Sequence, residues 1–146
     1  MNARPLILDC SVLAQAVFAE ENSEQARALI RSGRRLMAPD LMPIELGNVL
    51  WKKVQRGAMA PAEALEAHRG LTLLAPVRIL PSRNYQPRAL ALALEHRRSF
   101  YDSLYLAMAE AEGGLFVTAD ERLAHALAGT GISRHLHWLG AGAAPV

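Results

Sequence analysis

The chain of 146 residues contains four aspartates, Asp9, Asp40, Asp102 and Asp120. Their placement is not that of a random solvated surface. The apolar run Leu6-Ile7-Leu8 ends at Asp9, and Leu115-Phe116-Val117-Thr118 ends beside Asp120. Asp102 falls in the first turn of a helix predicted from about Tyr101 to Glu112, and Glu45 lies roughly one turn into a helix begun at Asp40, inside the otherwise apolar Pro43-Ile44-Glu45-Leu46-Gly47. Singly, each has an ordinary explanation, since strand-end aspartates serve turns and an acid in a first helical turn complements the dipole. Jointly, Asp9, Glu45, Asp102 and Asp120 direct four carboxylates into one cleft. Such a group must keep at least one proton unless a cation lies among its members. An all-oxygen set selects Mg²⁺ or Mn²⁺. Mg²⁺ keeps waters and takes phosphate oxygens, so the chemistry implied is metal-assisted phosphodiester hydrolysis.

Positioning these acids requires strands that end where helices begin. Leu6–Leu8 and Leu115–Thr118 are short apolar runs, the pattern of strands buried on both faces, and Arg35–Ala38, closed by Pro39, reads as another short strand. Val77–Leu80 lies between Pro76 and Pro81, which predicts an edge or very short strand. A last strand is predicted around Leu136 to Leu139. Between them run helical patterns: one capped by Ser11, one opened by Ser23, a longer one capped by Asp40 and ended by Gly57, one started by Pro61, one from about Pro87 to Arg98, and the segment bearing Asp102. Strands alternating with helices predict an α/β sandwich around a parallel sheet. In such a sheet, ligands bind beyond the carboxyl ends of the strands. The organisation expected is one domain over residues 1–139, followed by a flexible Gly/Ala-rich tail, 140–146.

Composition narrows the class. Hydrophobic residues make up 51% and charged residues 21%, enough apolar surface for a core and too much for a disordered chain. A single Cys excludes an internal disulfide framework and a Cys-based zinc site. Lys+Arg is 16 against 14 Asp+Glu, and nearly all the cation is Arg, which either suits phosphate recognition or reflects compositional bias. Asp9 interrupts the one apolar run near the start, and no stretch approaches the ~18 apolar residues of a membrane span, so a cytoplasmic protein without a membrane partner is expected.

The segments Leu6-Ile7-Leu8-Asp9-Cys10-Ser11-Val12-Leu13, Ala38-Pro39-Asp40-Leu41 with Glu45, Tyr101-Asp102-Ser103-Leu104-Tyr105-Leu106-Ala107-Met108-Ala109-Glu110 and Leu115-Phe116-Val117-Thr118-Ala119-Asp120-Glu121-Arg122-Leu123 together resemble the PIN domain, in the family's order and over nearly the whole chain. The likeness is to VapC-type toxins of type II toxin–antitoxin modules. It implies a three-layer α/β/α sandwich with a short, mainly parallel central sheet, divalent-metal-dependent endoribonuclease activity on RNA, homodimerisation, and inhibition by a small VapB-like antitoxin. Carried over by position, Asp9, Glu45, Asp102 and Asp120 form the catalytic acids. Asp9 and Asp102 would bind the main Mg²⁺ or Mn²⁺, with Asp120 joining directly or through water. Glu45 would hold a water of the ion's shell or help bind a second ion. Ser11 and Thr118 would support the acids. Cys10 departs from the Ala or Thr commoner at its position, and the tail has no counterpart in the family.

Other residues leave alternatives open. Arg97 and Arg98 either hold RNA phosphates or complement a helix end. The same choice applies to Lys52, Lys53 and Arg56. His135-x-His137 is read as a surface pair, Cys10 as a buried small residue, and Tyr101 and Tyr105 as packing. Trp51 and Met42 line either a partner groove or the core. A phospho-acceptor domain is disfavoured, because position 11 is Ser and no Lys follows Lys53. A PIN ribonuclease of RNA processing, or a non-catalytic RNA-binding PIN protein, is the alternative function.

Overall fold

A computed structural model describes residues 3–146. Strand β1 is Leu6–Leu8, β2 Leu36–Pro39, β3 Val77–Leu80, β4 Leu115–Thr118 and β5 Leu136–Trp138. They form one sheet in the order β3-β2-β1-β4-β5, with every neighbouring pair parallel. The three central strands are buried throughout and carry the continuous apolar runs. The strand between prolines lies at the sheet edge, where an absent N–H donor costs no ladder bond. Helices α1 (Cys10–Val17) and α2 (Ser23–Ile30) join β1 to β2; α3 (Leu41–Gln55) and α4 (Pro61–Arg69), with one π-helical turn, join β2 to β3. Helices α5 (Gln86–His96) and α6 (Phe100–Glu112) join β3 to β4, and α7 (Glu121–Leu127) follows β4. The first two crossovers run one way across the sheet and the third runs back, so a common right hand puts their helices on opposite faces. The result is a helix–sheet–helix sandwich, as the sequence predicts.

The core is the sheet's two faces and what covers them. Leu6, Ile7, Leu8, Val12, Leu13, Met42, Leu46, Phe116 and Val117 are completely inaccessible to solvent. Helix α6 lies between the strands β1, β2 and β4 and helix α5, which explains its unbroken buried run from Ser103 to Ala109. Met42 belongs to this core. Trp51, 57% exposed, instead lines an apolar groove between α3 and α4 with Leu50, Val54, Leu65 and Leu73. No helix among the described residues is long and apolar enough to cross a membrane. Near the C-terminus the Ala144 carbonyl accepts a hydrogen bond from the Arg34 guanidinium at 3.0 Å, and the same guanidinium donates to the Arg4 carbonyl at 2.9 Å.

Two expected caps differ. The side chain capping α1 is Asp9, not Ser11: its carboxylate accepts from the Val12 N–H at 3.2 Å. Asp40 precedes α3 with helical backbone angles and its side chain makes no capping bond. Its N–H is committed elsewhere, donating to the Leu80 carbonyl at 2.9 Å and so extending the β2–β3 ladder.

At Gly114 the chain passes from α6 into β4 with no room for a side chain. A Cβ there would stand 2.5 Å from the Pro5 carbonyl oxygen, the atom that accepts the Leu115 N–H at 3.0 Å and starts the β1–β4 ladder. Gly114→Ala is therefore expected to destabilise the fold by about 1–3 kcal/mol through overpacking. The measurement is a lower urea midpoint with unchanged m-value; an unaltered midpoint would mean that the β1–β4 junction has slack.

Candidate active site

The sheet order makes the gap between β1 and β4 the point where the chain's winding reverses, the place where open α/β sheets bind ligands in the crevice beyond the strands' carboxyl ends. Asp9 follows β1, Asp120 lies two residues beyond the end of β4, and both cap the helices that begin there. Asp102 arrives from α6. Ser99 caps that helix by accepting the Asp102 N–H at 3.0 Å, so Asp102 stands in its first turn. Glu45 comes from the first turns of α3. Three helix N-termini thus converge on the crevice, and their partial positive charge favours acids there.

Asp9 is the best-held of the four. One carboxylate oxygen accepts the Ser11 hydroxyl and the Val12 N–H, and the other accepts the Thr118 hydroxyl at 2.8 Å. A carboxylate offers about four lone-pair sites, so this leaves roughly one free. Ser11 and Thr118 also work in the other direction. The Ser11 hydroxyl accepts the Ala119 N–H at 3.3 Å, and the fully buried Thr118 hydroxyl accepts the Asp120 N–H at 3.1 Å. These two hydroxyls tie Asp9 at the end of β1 to the loop after β4.

Electrostatics tie in the remaining acids, with Asp102 as the hub. Burial pushes the Asp9 carboxyl up to about 6 from its ordinary 3.8; its hydrogen bonds oppose this, and the Asp102 charge adds to it. Burial likewise raises Glu45, with Asp102 contributing and the Tyr105 hydrogen bond opposing. Asp102 is itself raised, by burial first and then by Asp120, while Ser99 and the Arg98 charge pull it down. Asp120, exposed at the rim, has an oxygen accepting the Leu123 N–H at 3.2 Å.

The structure thus gathers Asp9, Glu45, Asp102 and Asp120 into one neighbourhood but does not collapse them onto a single point. Among the described residues, no three His, Cys, Asp or Glu side chains form a group that could hold a metal ion by themselves. Mg²⁺ is commonly bound through one or two carboxylates with waters completing its shell. Three carboxyls held above their usual range, with Arg98 the cation acting on Asp102, are the oxygen donors that such an ion would use. The residues fit a hydrated hard cation.

Other residues singled out in the sequence have distinct placements. Arg98 faces Asp102 electrostatically, whereas Arg97 terminates α5 in a left-handed conformation, φ 54°; both are exposed. Lys53 pairs with Glu20 and lies over the Phe18 ring, so it is structural. The His135 and His137 rings each donate to a backbone carbonyl at 3.0 Å, of Gly114 and Gly142. Cys10 is only half-buried and borders the acids; burial, then the charges of Asp9, Glu45 and Asp102, push its thiol up to about 12, which makes it a poor nucleophile. Tyr101 is exposed. Tyr105, read from the sequence as packing, does pack, on Phe116 with ring centroids 5.0 Å apart, but its hydroxyl also donates to Glu45 at 2.7 Å. The available signal was its position one turn after Asp102 on α6.

The family model of the PIN domain matches residues 6–127. The chain belongs to the PIN-domain family, and within it stands with the VapC-type members. It is 34% identical over 120 residues to ribonuclease VapC3 of Pyrobaculum aerophilum, covering 82% of this chain and 92% of that protein. Among solved structures, it is similar in fold to PAE2754 from Pyrobaculum aerophilum, with a TM-score of 0.68 at 22% identity over 94% of this chain and 91% of that one. A toxin–antitoxin complex from Klebsiella pneumoniae gives a TM-score of 0.59 at 15% identity over 87% and 93%.

A raised carboxyl binds its proton more tightly in the folded chain than in the unfolded one. The folded state is therefore favoured at low pH and loses that contribution as pH rises from 3.8 to about 6. With divalent ions chelated, Asp9→Asn is expected to gain stability relative to the native chain across this window, by on the order of 1–3 kcal/mol at neutral pH. Urea unfolding at several pH values reads this; parallel pH profiles for the two proteins would remove Asp9 as the titrating group.

Proposed function

We propose that the protein is a divalent-metal-dependent endoribonuclease that hydrolyses RNA phosphodiester bonds as the toxin of a type II toxin–antitoxin module. The observation that carries this reading is the gathering of carboxylates from four separate segments at the β1–β4 switch point, with Asp9, Glu45 and Asp102 each held above its usual range by burial first and by a neighbouring carboxylate second. A cation bound among these acids would favour their ionised forms. Membership of the VapC-type branch supports ribonuclease chemistry over the other uses of such a centre.

Asp9 and Asp102 would hold Mg²⁺ or Mn²⁺, with Asp120 joining directly or through water. When bound, the ion supplies a lowered pKa for the attacking water and offsets charge on the phosphoryl oxygens in the transition state. Ser11 and Thr118 keep the Asp9 carboxylate aimed while it carries charge. Glu45 has one oxygen engaged by Tyr105 and its other, Oε2, available to accept the proton of the attacking water. Arg98, beside Asp102, and Arg97 would receive RNA phosphates at the rim. The apolar groove between α3 and α4, with Trp51 and Leu65 exposed, supports a protein partner, for which a VapB-like antitoxin is the reading. A homodimer acting in the cytoplasm completes the proposal.

Cleavage-site mapping on total cellular RNA tests the assignment. Asp9→Asn and Asp102→Asn are each expected to lower cleavage on the order of a thousandfold with unchanged circular dichroism. Chelation should abolish native cleavage, and added Mg²⁺ or Mn²⁺ should restore it. A fully active Asp102→Asn protein, free of wild type, would overturn the reading. For the rim, replacing Arg97 and Arg98 together with Ala is expected to weaken RNA binding and flatten its log–log salt dependence by about 1.4, the value for two phosphates on a single strand. An unchanged slope assigns both arginines to the helix end alone.

A further inference from the structure

Glu45 differs from the other acids in how it is held. Asp9 and Asp120 follow strand ends by one and two residues and cap helices; Asp102 stands in a capped first turn. Their short side chains leave little freedom once the backbone is set. Glu45 has one more rotatable bond and no such fixture on its own helix. Helix α3 packs against α1, α4 and β2 but makes no extensive contact with α6, the helix that carries Asp102. Packing alone therefore does not define where the Glu45 carboxylate stands relative to Asp102.

One side chain crosses that gap. Tyr105 is 1% exposed, its ring lies nearly parallel to Phe116 at an interplanar angle of 15°, and its hydroxyl is 2.7 Å from Glu45 Oε1. The ring is immobilised by β4 beneath it, so the hydroxyl is a fixed point at the crevice wall. Burial and the Glu45 charge push that hydroxyl upward, which keeps it a donor. A charge-assisted bond from a rigid donor both selects one rotamer of the carboxylate and leaves Oε2 free.

We propose that Tyr105 is a positioning residue: anchored on Phe116, it holds the Glu45 carboxylate across from Asp102 so that Oε2 meets the attacking water. This inference rests on the assignment of Glu45 above and extends it to a residue that touches neither substrate nor ion. It predicts a loss in the chemical step that is spent entirely through Glu45.

The test is a double-mutant cycle in RNA cleavage. Tyr105→Phe keeps the ring and its stacking and removes only the donor. It is expected to lower kcat about tenfold with KM changed less than about twofold, and to shift Tm by no more than about 5 °C. In a Glu45→Ala background the same substitution should cost less than about twofold. Glu45→Asp, which withdraws the carboxylate from an intact Tyr105, should lose a similar factor and also be insensitive to Tyr105→Phe; this arm probes the contact from the helix surface and does not disturb the core. Full activity of Tyr105→Phe, or an undiminished tenfold loss in the Glu45→Ala background, would overturn the positioning role while leaving Glu45 in place. A fully active Glu45→Ala protein would instead remove Glu45 from the chemistry, and Tyr105 with it.

Discussion

Negative charge held at the edge of a dry sheet is the constraint around which this protein is arranged. Asp9 follows a strand with no solvent exposure, and transfer of a carboxylate to such a place is unfavourable unless hydrogen bonds accompany it. Ser11, Val12 and Thr118 provide three. Those donors offset only part of the cost, since Asp9 still titrates well above an ordinary aspartate.

The same hydroxyls explain why the site is stiff. Ser11 and Thr118 each donate to Asp9 and accept a backbone N–H from the loop after β4. The two strand-end loops are thereby joined through the side chain that they serve. Beneath them, Leu6, Ile7 and Leu8 pair with Leu115, Phe116 and Val117 in a register that sets Asp9 against Thr118. Core packing and carboxylate placement are in this sense a single problem, because a slip of the β1–β4 register would move the donors away from the acid.

The helical layers contribute unequally. Helix α6 lies across three strands and delivers Asp102 as part of a buried, capped element, so Asp102 is placed by the core itself. Helix α3 reaches the crevice from the other connection and depends on a side-chain bond to locate Glu45. Arg98, just before α6, offers its charge at the solvent side of Asp102, where it lowers that group without entering the cluster. The arrangement grades from Asp9, held by three hydrogen bonds, to solvent-exposed Asp120.

Much of this was legible in the amino-acid order. Apolar runs ending in Asp9 and beside Asp120, an acid within an apolar helical stretch at Glu45, and another in the first turn at Asp102 are local patterns, and local patterns survive in one dimension. The prolines around β3 mark an edge or very short strand for the same reason, and the sheet order makes it an edge. What tertiary structure alone decided is what depends on distance between segments far apart in the chain: that Asp40 gives its N–H to β3's end, that Asp102 is the acid through which the others interact, and that Tyr105 reaches Glu45 across 60 residues of sequence. Hydrogen bonds and Coulomb forces act through space, so residue spacing can nominate the groups, but only the packed sheet determines which of them meet.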